Sequence, residues 1–588
     1  MLMKKLIFLL LINLGFQISN GQEIVYKTFS PVNATDTPFY LEGQMWPKEV
    51  KKPYDRFPAR AEETVRKEVW NLSTNTAGMQ LRFRTNAQQI IVKYSVGKNL
   101  QMPHMPATGV SGIDLYAKDL NGKWIWCKGN YSFKDTITYV FDIAAENNQK
   151  PLEYTLYLPL YNSVNWMTVQ VADSSEWKAL PVRQEKPIVV YGTSIAQGGC
   201  ASRPGLAWTN ILSRKLDRPV VNLAFSGNGR LEPAVSSLIA EIPARLFILD
   251  CLPNLTGSQY TEDILRKKII NTIDTLRKKN PVTPILLTDH DGYTDAGANV
   301  KRKQLYERVN NIQRQVFDSL TQKIGVTDLY YLDCKSIGQD IESTVDGTHP
   351  NDIGMMRYAD AYALKLKEIF QENVEAYDIT TPTTQYRDAP LYFWTDRHEA
   401  VLKLNQSYRP GLVFIGNSIT HFWGGLPAGP NRGNFSWNKY FSKYQPLNLG
   451  FGWDKIENVL WRVHHDEFTD ISPAHIVLMI GTNNLGSNTD EEINLGIKNL
   501  LKAIQLRQPN AKILLMGILP RRNMEERVLK LNQLYQRSAQ QLGISYADAG
   551  KLFLQPNQLI NEQLFSDGLH PNAAGYELLG RFISDYLK

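Results

Sequence analysis

Cysteine is scarce. The 588 residues hold four, Cys127, Cys200, Cys251 and Cys334, too few to staple a chain of this size, so stability must come from apolar cores. No run of Lys and Arg is interleaved with aromatics, and the formal net charge of +7 is spread along the chain, which removes nucleic acid as an expected partner. Beyond residue 21 no stretch approaches the about 18 uninterrupted apolar residues of a membrane span, so stable membrane insertion is not expected. Low-complexity segments are missing, and 43% hydrophobic with 21% charged residues is the profile of a folded globular chain. His290, His464 and His465 have no partners at ligand spacing, so neither metal nor cofactor is assigned.

What is present begins with an export signal. Lys4 and Lys5 precede an apolar run over 6–16 and the small residues Ser19 and Gly21, so residues 1–21 read as a cleaved signal peptide. No cysteine lies near the cut, which argues against a lipid anchor; a secreted or periplasmic protein is expected, with an uncleaved N-terminal helix as the alternative. Over 24–182 apolar residues alternate at period two, as in Ile90, Val92, Tyr94 and in Met167, Val169, Val171, which predicts antiparallel strands and a β-sandwich. Over 184–374 the signal changes to continuous apolar runs, PIVVYG (187–192), PVVNLAF (219–225), RLFILD (245–250), PILLTD (284–289) and LYYLDC (329–334), separated by helical stretches. Buried parallel strands with crossover helices read this way, which predicts a doubly wound α/β domain. The same order recurs over 388–588 in LVFIGN, PLNLGF, HIVLMIG, AKILLMG and ISYADA, so a second α/β domain is expected.

At the end of the first strand of each α/β segment a serine follows a glycine turn, Gly192-Thr193-Ser194-Ile195 and Gly416-Asn417-Ser418-Ile419. Ligands gather at the carboxyl ends of parallel strands, but such a turn alone is common. Its weight comes from the Asp-x-x-His-Pro-Asn that closes each segment, with Asp346 and His349, then Asp567 and His570. A serine hydroxyl is a poor nucleophile until a base takes its proton, and the base needs an acid to hold its tautomer. Either motif alone reads equally as a loop before a helix. The spacing decides between them: 155 residues separate Ser194 from His349 and 152 separate Ser418 from His570, in matching strand context.

With these residues the chain resembles the SGNH/GDSL hydrolase family, whose blocks supply Ser, Gly, Asn and His. The matches are Ser194 in YGTSIAQGG, Gly227 in NLAFSGNGR, Asn254 in DCLPNL and the Asp346/His349 pair, then Ser418 in IGNSIT, Asn483 in IGTNN and the Asp567/His570 pair. The resemblance implies flavodoxin-like sheets, Ser-His-Asp triads, and an oxyanion hole made by the serine N–H, a glycine N–H and the Asn side chain. In the second segment NLGFGWD puts Trp453 where the family has Gly. Trp can still donate its N–H, but its Cβ restricts the backbone, and its ring is expected to crowd the pocket or to form a wall that selects a small acyl group. NLGFGWDKIENVLWRV is also similar to a block of platelet-activating-factor acetylhydrolase relatives, which implies acetyl esters. GTSIAQGGCASRPG is similar to two-domain bacterial esterases with an upstream β domain marked Gly-x-Asp-Leu-Tyr, matched here by Gly112 to Tyr116. That likeness implies a β domain packed near the first site; a strand-turn role is the alternative for the motif.

Other candidates carry two readings each. Arg203 either anchors an acidic or hydroxyl-rich substrate or is a surface residue at a helix end. Cys200 and Cys251 form a disulfide or remain two buried thiols. Of Trp124 and Trp126, one is expected in the core and the other free to stack on a sugar ring. The function expected from all of this is a serine carboxylic ester hydrolase, an acetylesterase acting through an acyl-enzyme at two sites. Its substrates would be small acyl esters, foremost O-acetyl groups on a glycan. The alternatives are a lipid- or thioester-directed hydrolase, or one active unit beside a non-catalytic carbohydrate-binding unit.

Overall fold

The computed structural model describes residues 25–31, 41–143, 150–372, 378–388 and 391–587; the expected signal peptide lies outside the described residues. Period-two alternation turns Ile90, Val92, Tyr94, Met167, Val169 and Val171 inward from one sheet and Leu81, Phe83, Leu115 and Leu156 from another, closing one core between them. The first sheet runs Tyr26–Phe29, Val164–Ala172, Gln89–Val96, Ile137–Asp142, Gly129–Ser132. The second runs Trp177–Ala179, Gln80–Thr85, Leu152–Tyr157, Asp114–Lys118, Trp124–Cys127. Both are antiparallel, so this part is a β-sandwich.

One reading of this region needs correcting. Trp124 and Trp126 are two residues apart in one strand, so they share a face instead of opposing each other. Neither is in the core: Trp124 Nε1 donates to Arg214 O at 3.1 Å and Trp126 Nε1 to Asp114 Oδ1 at 2.7 Å. The stretch carrying Trp46, Phe57, Val69 and Trp70 packs into the core of the first α/β unit. Its elements are the short helices Ala59–Glu63 and Lys67–Ser73.

Each continuous apolar run forms a strand, and the central ones are buried on both faces, whereas the edge strand Ser545–Ala547 is exposed at Ser545. In the first unit the spatial order is Val220–Ala224, Ile188–Gly192, Leu246–Asp250, Ile285–Thr288, Leu329–Leu332. In the second it is Pro446–Gly450, Leu412–Gly416, His475–Met479, Lys512–Met516, Ser545–Ala547. All neighbours are parallel. In chain order this is 2-1-3-4-5 in both units, the flavodoxin-like arrangement. Helices cover both faces because their apolar residues recur at three- and four-residue spacing. Helix Asp352–Ile369 buries Met355, Tyr358, Ala359, Tyr362 and Leu366, and helix Ala573–Tyr586 buries Tyr576, Leu579, Gly580 and Ile583.

Charged groups join the three parts. Lys118 of the sandwich pairs with Asp217 of the first unit at 2.6 Å, and Arg84 of the sandwich with Asp396 of the second at 2.7 Å. Between the units, Arg218 donates to His464 O at 2.6 Å and Arg245 meets Asp466 at 2.7 Å. His398 is buried with Nδ1 2.9 Å from Glu467 and Nε2 3.6 Å from Glu185.

Candidate active sites

The first strand of each α/β unit ends on a glycine because the chain turns sharply into a helix there. A Cβ at Gly192 would meet Ala196 Cβ at 2.6 Å, and one at Gly416 would meet Thr420 Oγ1 at 2.2 Å. Thr193 and Asn417 cap the short helices that follow by accepting from Ile195 N and Ile419 N. Ser194 and Ser418 are thereby held at the carboxyl end of the sheet, 8% and 7% exposed.

The closing loop supplies the other two groups. In each unit a two-residue β-bridge, Thr344 with Pro350 or Phe565 with Pro571, pinches the loop, and Asn351 or Asn572 caps the last helix. Ser194 Oγ lies 2.8 Å from His349 Nε2, and His349 Nδ1 lies 2.8 Å from Asp346 Oδ2. In the second unit Ser418 Oγ is 2.8 Å from His570 Nε2, and His570 Nδ1 is 2.7 Å from Asp567 Oδ2. A carboxylate accepts only, so Nδ1 carries the proton and Nε2 is left to accept from the serine hydroxyl. Burial alone would raise the Asp346 and Asp567 carboxyls, but each accepts its histidine's backbone N–H at 2.8 Å, that histidine's ring and one further N–H. The net effect holds both below the usual carboxylate range.

The strand beside the serine ends in a turn that is alike in the two units. Asn228 N donates to Phe225 O at 2.8 Å and Asp454 N to Phe451 O at 3.2 Å. The third residue of each turn is left-handed, Gly227 at φ +68° and Trp453 at φ +64°. A Cβ at Gly227 would meet nothing within 4 Å, and the same open side explains how Trp453 fits: its side chain is 51% exposed and its indole interacts with the Asp388 carboxylate. The indole therefore stands on the open side of the turn. Asn254 Oδ1 accepts Gly229 N at 3.0 Å, which commits its NH₂ to the other side, and Asn483 Nδ2 donates to Asp454 O at 2.9 Å. Both asparagines are thus tied to these turns.

Arg203 is committed elsewhere. Its guanidinium pairs with Asp114, donates to Tyr116 OH at 2.7 Å and lies 4.5 Å over Trp126; Asp114 also accepts Gly205 N at 2.9 Å. The Gly-x-Asp-Leu-Tyr segment is therefore a clasp between the sandwich and the loop after Ser194, more than a local turn. The sandwich reaches the first site directly: Tyr161 OH donates to Ser194 O at 3.0 Å, and the rings of His104 and His349 are 6.1 Å apart. Cys200 and Cys251 are free, buried thiols.

Several supporting residues escaped the sequence reading. Asn222 Nδ2 donates to Ala196 O at 2.7 Å and Asn448 Nδ2 to Thr420 O at 2.8 Å, pinning each serine helix to the neighbouring strand. The shared Asn-Leu-x-Phe of NLAF and NLGF was the available signal. Tyr161 and His104 carried none, because their partners lie far along the chain.

Comparison with known proteins agrees with the fold. Residues 29–177 match the profile of the N-terminus of the SGNH-hydrolase esterase type, and residues 185–367 and 414–578 each match a profile of the GDSL-like lipase/acylhydrolase family. The human platelet-activating factor acetylhydrolase IB subunit alpha2 is 31% identical over 188 residues, covering 31% of this chain and 78% of that protein. The bovine alpha1 subunit is 29% identical over 199 residues, covering 33% and 82%. A crystal structure described as a GDSL-like lipase from Bacteroides ovatus is 31% identical with a TM-score of 0.53, covering 60% of this chain and all of that one.

Proposed function

Since this chain belongs to the GDSL-like lipase/acylhydrolase family and is a carboxylic ester hydrolase, we propose that each α/β unit is a serine esterase site working through an acyl-enzyme. In each, the serine hydroxyl attacks the ester carbonyl while the histidine takes its proton at Nε2 and the aspartate steadies the imidazolium. The imidazolium returns the proton to the departing alcohol, and water then repeats the sequence on the acyl-enzyme. The proposed oxyanion donors are the N–H groups of Ser194 and Gly227 with the Asn254 amide, and those of Ser418 and Trp453 with the Asn483 amide. Loss of one such donor costs about a hundredfold to a thousandfold in rate. The observation that carries this reading is the repetition of one Ser–His–Asp spacing, 2.8 Å from Oγ to Nε2, at two serines 224 positions apart in a single chain, as the numbering gives (418 − 194 = 224).

The acyl group is proposed to be acetyl, from the likeness to proteins named acetylhydrolases. The alcohol is proposed to be a carbohydrate hydroxyl. The His349 and His570 side chains are 24% and 17% exposed and their aspartates 43% and 49%, so the leaving-group side opens to water, where a large polar alcohol can sit. Among the described residues no helix is long and apolar enough to cross a membrane; export is proposed on the basic-then-apolar residues 4–16. A purely binding role for the second unit is disfavoured because its three side chains keep the contacts of the first.

A fluorophosphonate, which reacts with activated serines, tests the assignment. Intact mass should reveal two adducts per chain, one after Ser194→Ala or Ser418→Ala, and none in the double variant. Labelling that is unaffected by Ser418→Ala would reduce the second unit to a binding module.

A further inference from the structure

We infer that Gln197 and His421, each the third residue after its serine, are positioning residues that hold the oxyanion turn against the helix carrying the nucleophile. This rests on the reading that Gly227 and Trp453 donate to the oxyanion. In a β-turn the N–H of the second residue takes no part in the turn's own hydrogen bond and is left over for another acceptor. Here that residue is Ser226 in one unit and Gly452 in the other, each directly before the proposed donor. Ser226 N donates to Gln197 Oε1 at 2.9 Å, and Gly452 N donates to His421 Nδ1 at 3.2 Å. The two units thus use different side chains at one position for one bond. An apolar residue there would serve packing equally well, so the recurrence of an acceptor indicates that the bond itself is what the site requires.

The chemistry of the two acceptors agrees with this role. An amide oxygen always accepts, but an imidazole accepts only while neutral. His421 is 2% exposed, and burial first, then the Arg397 and Arg462 charges, push its pKa down to about 2. It therefore stays neutral at neutral pH with its proton on Nε2, and Nδ1 remains an acceptor. Each of these side chains leaves the same short helix as the serine, so the distance from nucleophile to turn is set within one rigid element. Displacing the turn by about an ångström would cost roughly a hundredfold in rate without weakening substrate binding.

The test measures kcat and KM for 4-nitrophenyl acetate at one site at a time. In Ser194→Ala chains, His421→Leu should lower kcat by about tenfold to a hundredfold with KM little changed, while His421→Gln, which copies the first unit, retains most of the parent kcat. In Ser418→Ala chains, Gln197→Leu and Gln197→His should behave the same way, and the melting temperature of each variant reports its folding. Where a Leu variant does not fold, Met takes its place, its thioether being too weak an acceptor for the bond. A folded Leu or Met variant that keeps the parent kcat overturns the inference, as does a His421→Gln loss equal to that of His421→Leu, which would mark a shape requirement only. The Ser194→Ala/Ser418→Ala chain separates the other failure: if it hydrolyses as fast as either single variant, the nucleophile assignment falls and the inference falls with it.

Discussion

Trp453 stands in the left-handed region at φ +64°, a conformation that costs a bulky L-residue roughly 1–2 kcal/mol and that persists where function or neighbouring structure imposes it. The first unit fills the same place with Gly227, which bears no such cost. Trp453→Gly should therefore leave stability unchanged or raise it by up to about 1 kcal/mol, once the lost indole contact with Asp388 is set against the relieved backbone. If the indole walls the acyl site, the same variant raises the rate on butyrate relative to acetate, read with 4-nitrophenyl esters in a Ser194→Ala background. An unchanged chain-length preference would remove Trp453 from specificity. At this scale the serines, histidines and aspartates were legible in sequence because motif and spacing recur. Gln197 and His421 were not, because their types differ and only the backbone they hold is shared.

The edge strands Val220–Ala224 and Pro446–Gly450 carry carbonyls that no further strand among the described residues covers, and both units meet this with a buried arginine. Arg56 donates to Asn222 O and Ala224 O, both at 2.9 Å. Arg397 donates to the corresponding Asn448 O and Gly450 O at 3.0 and 2.9 Å. Each guanidinium also lies over the phenylalanine that opens the turn of the proposed oxyanion donor, 4.9 Å from Phe225 and 5.1 Å from Phe451. Burial lowers the two guanidiniums to about 9 and about 10, which leaves both charged at neutral pH. Removing either strands two buried carbonyls, so Arg56→Met and Arg397→Met should each cost at least about 2 kcal/mol in urea unfolding. A loss below about 0.5 kcal/mol would mean that water replaces the guanidinium. Sequence made the strands themselves plain, since five unbroken apolar runs per unit admit few other structures. The capping arginines were hidden, because Arg56 reaches its carbonyls from more than 160 residues away in sequence and Arg397 from a helix.

Across the whole molecule the order of parts could be read from changes in periodicity, but the joints could not, because each pairs residues far apart in sequence. His398 is the clearest case: it links Glu185 at the start of the first unit to Glu467 in the second. Burial alone would lower its pKa, but the two carboxylates outweigh this and raise it from 6.5 to about 10. Its folded pKa exceeds its unfolded value, so its contribution to stability is complete below about pH 6.5 and is lost as pH rises through about 10. The melting temperature should fall by several degrees between pH 7 and 10, and His398→Gln should lower it at pH 7 and flatten that slope. An equal slope in the variant would assign the pH dependence to other groups.

One chain is proposed here to carry two independent esterase sites. Acetate release from 4-nitrophenyl acetate and acetylated oligosaccharides, compared between the wild type, Ser194→Ala, Ser418→Ala and the double variant, tests it most directly. Each single variant is expected to lose a separate part of the activity, and the double variant to fall to background. A double variant as active as wild type would contradict it.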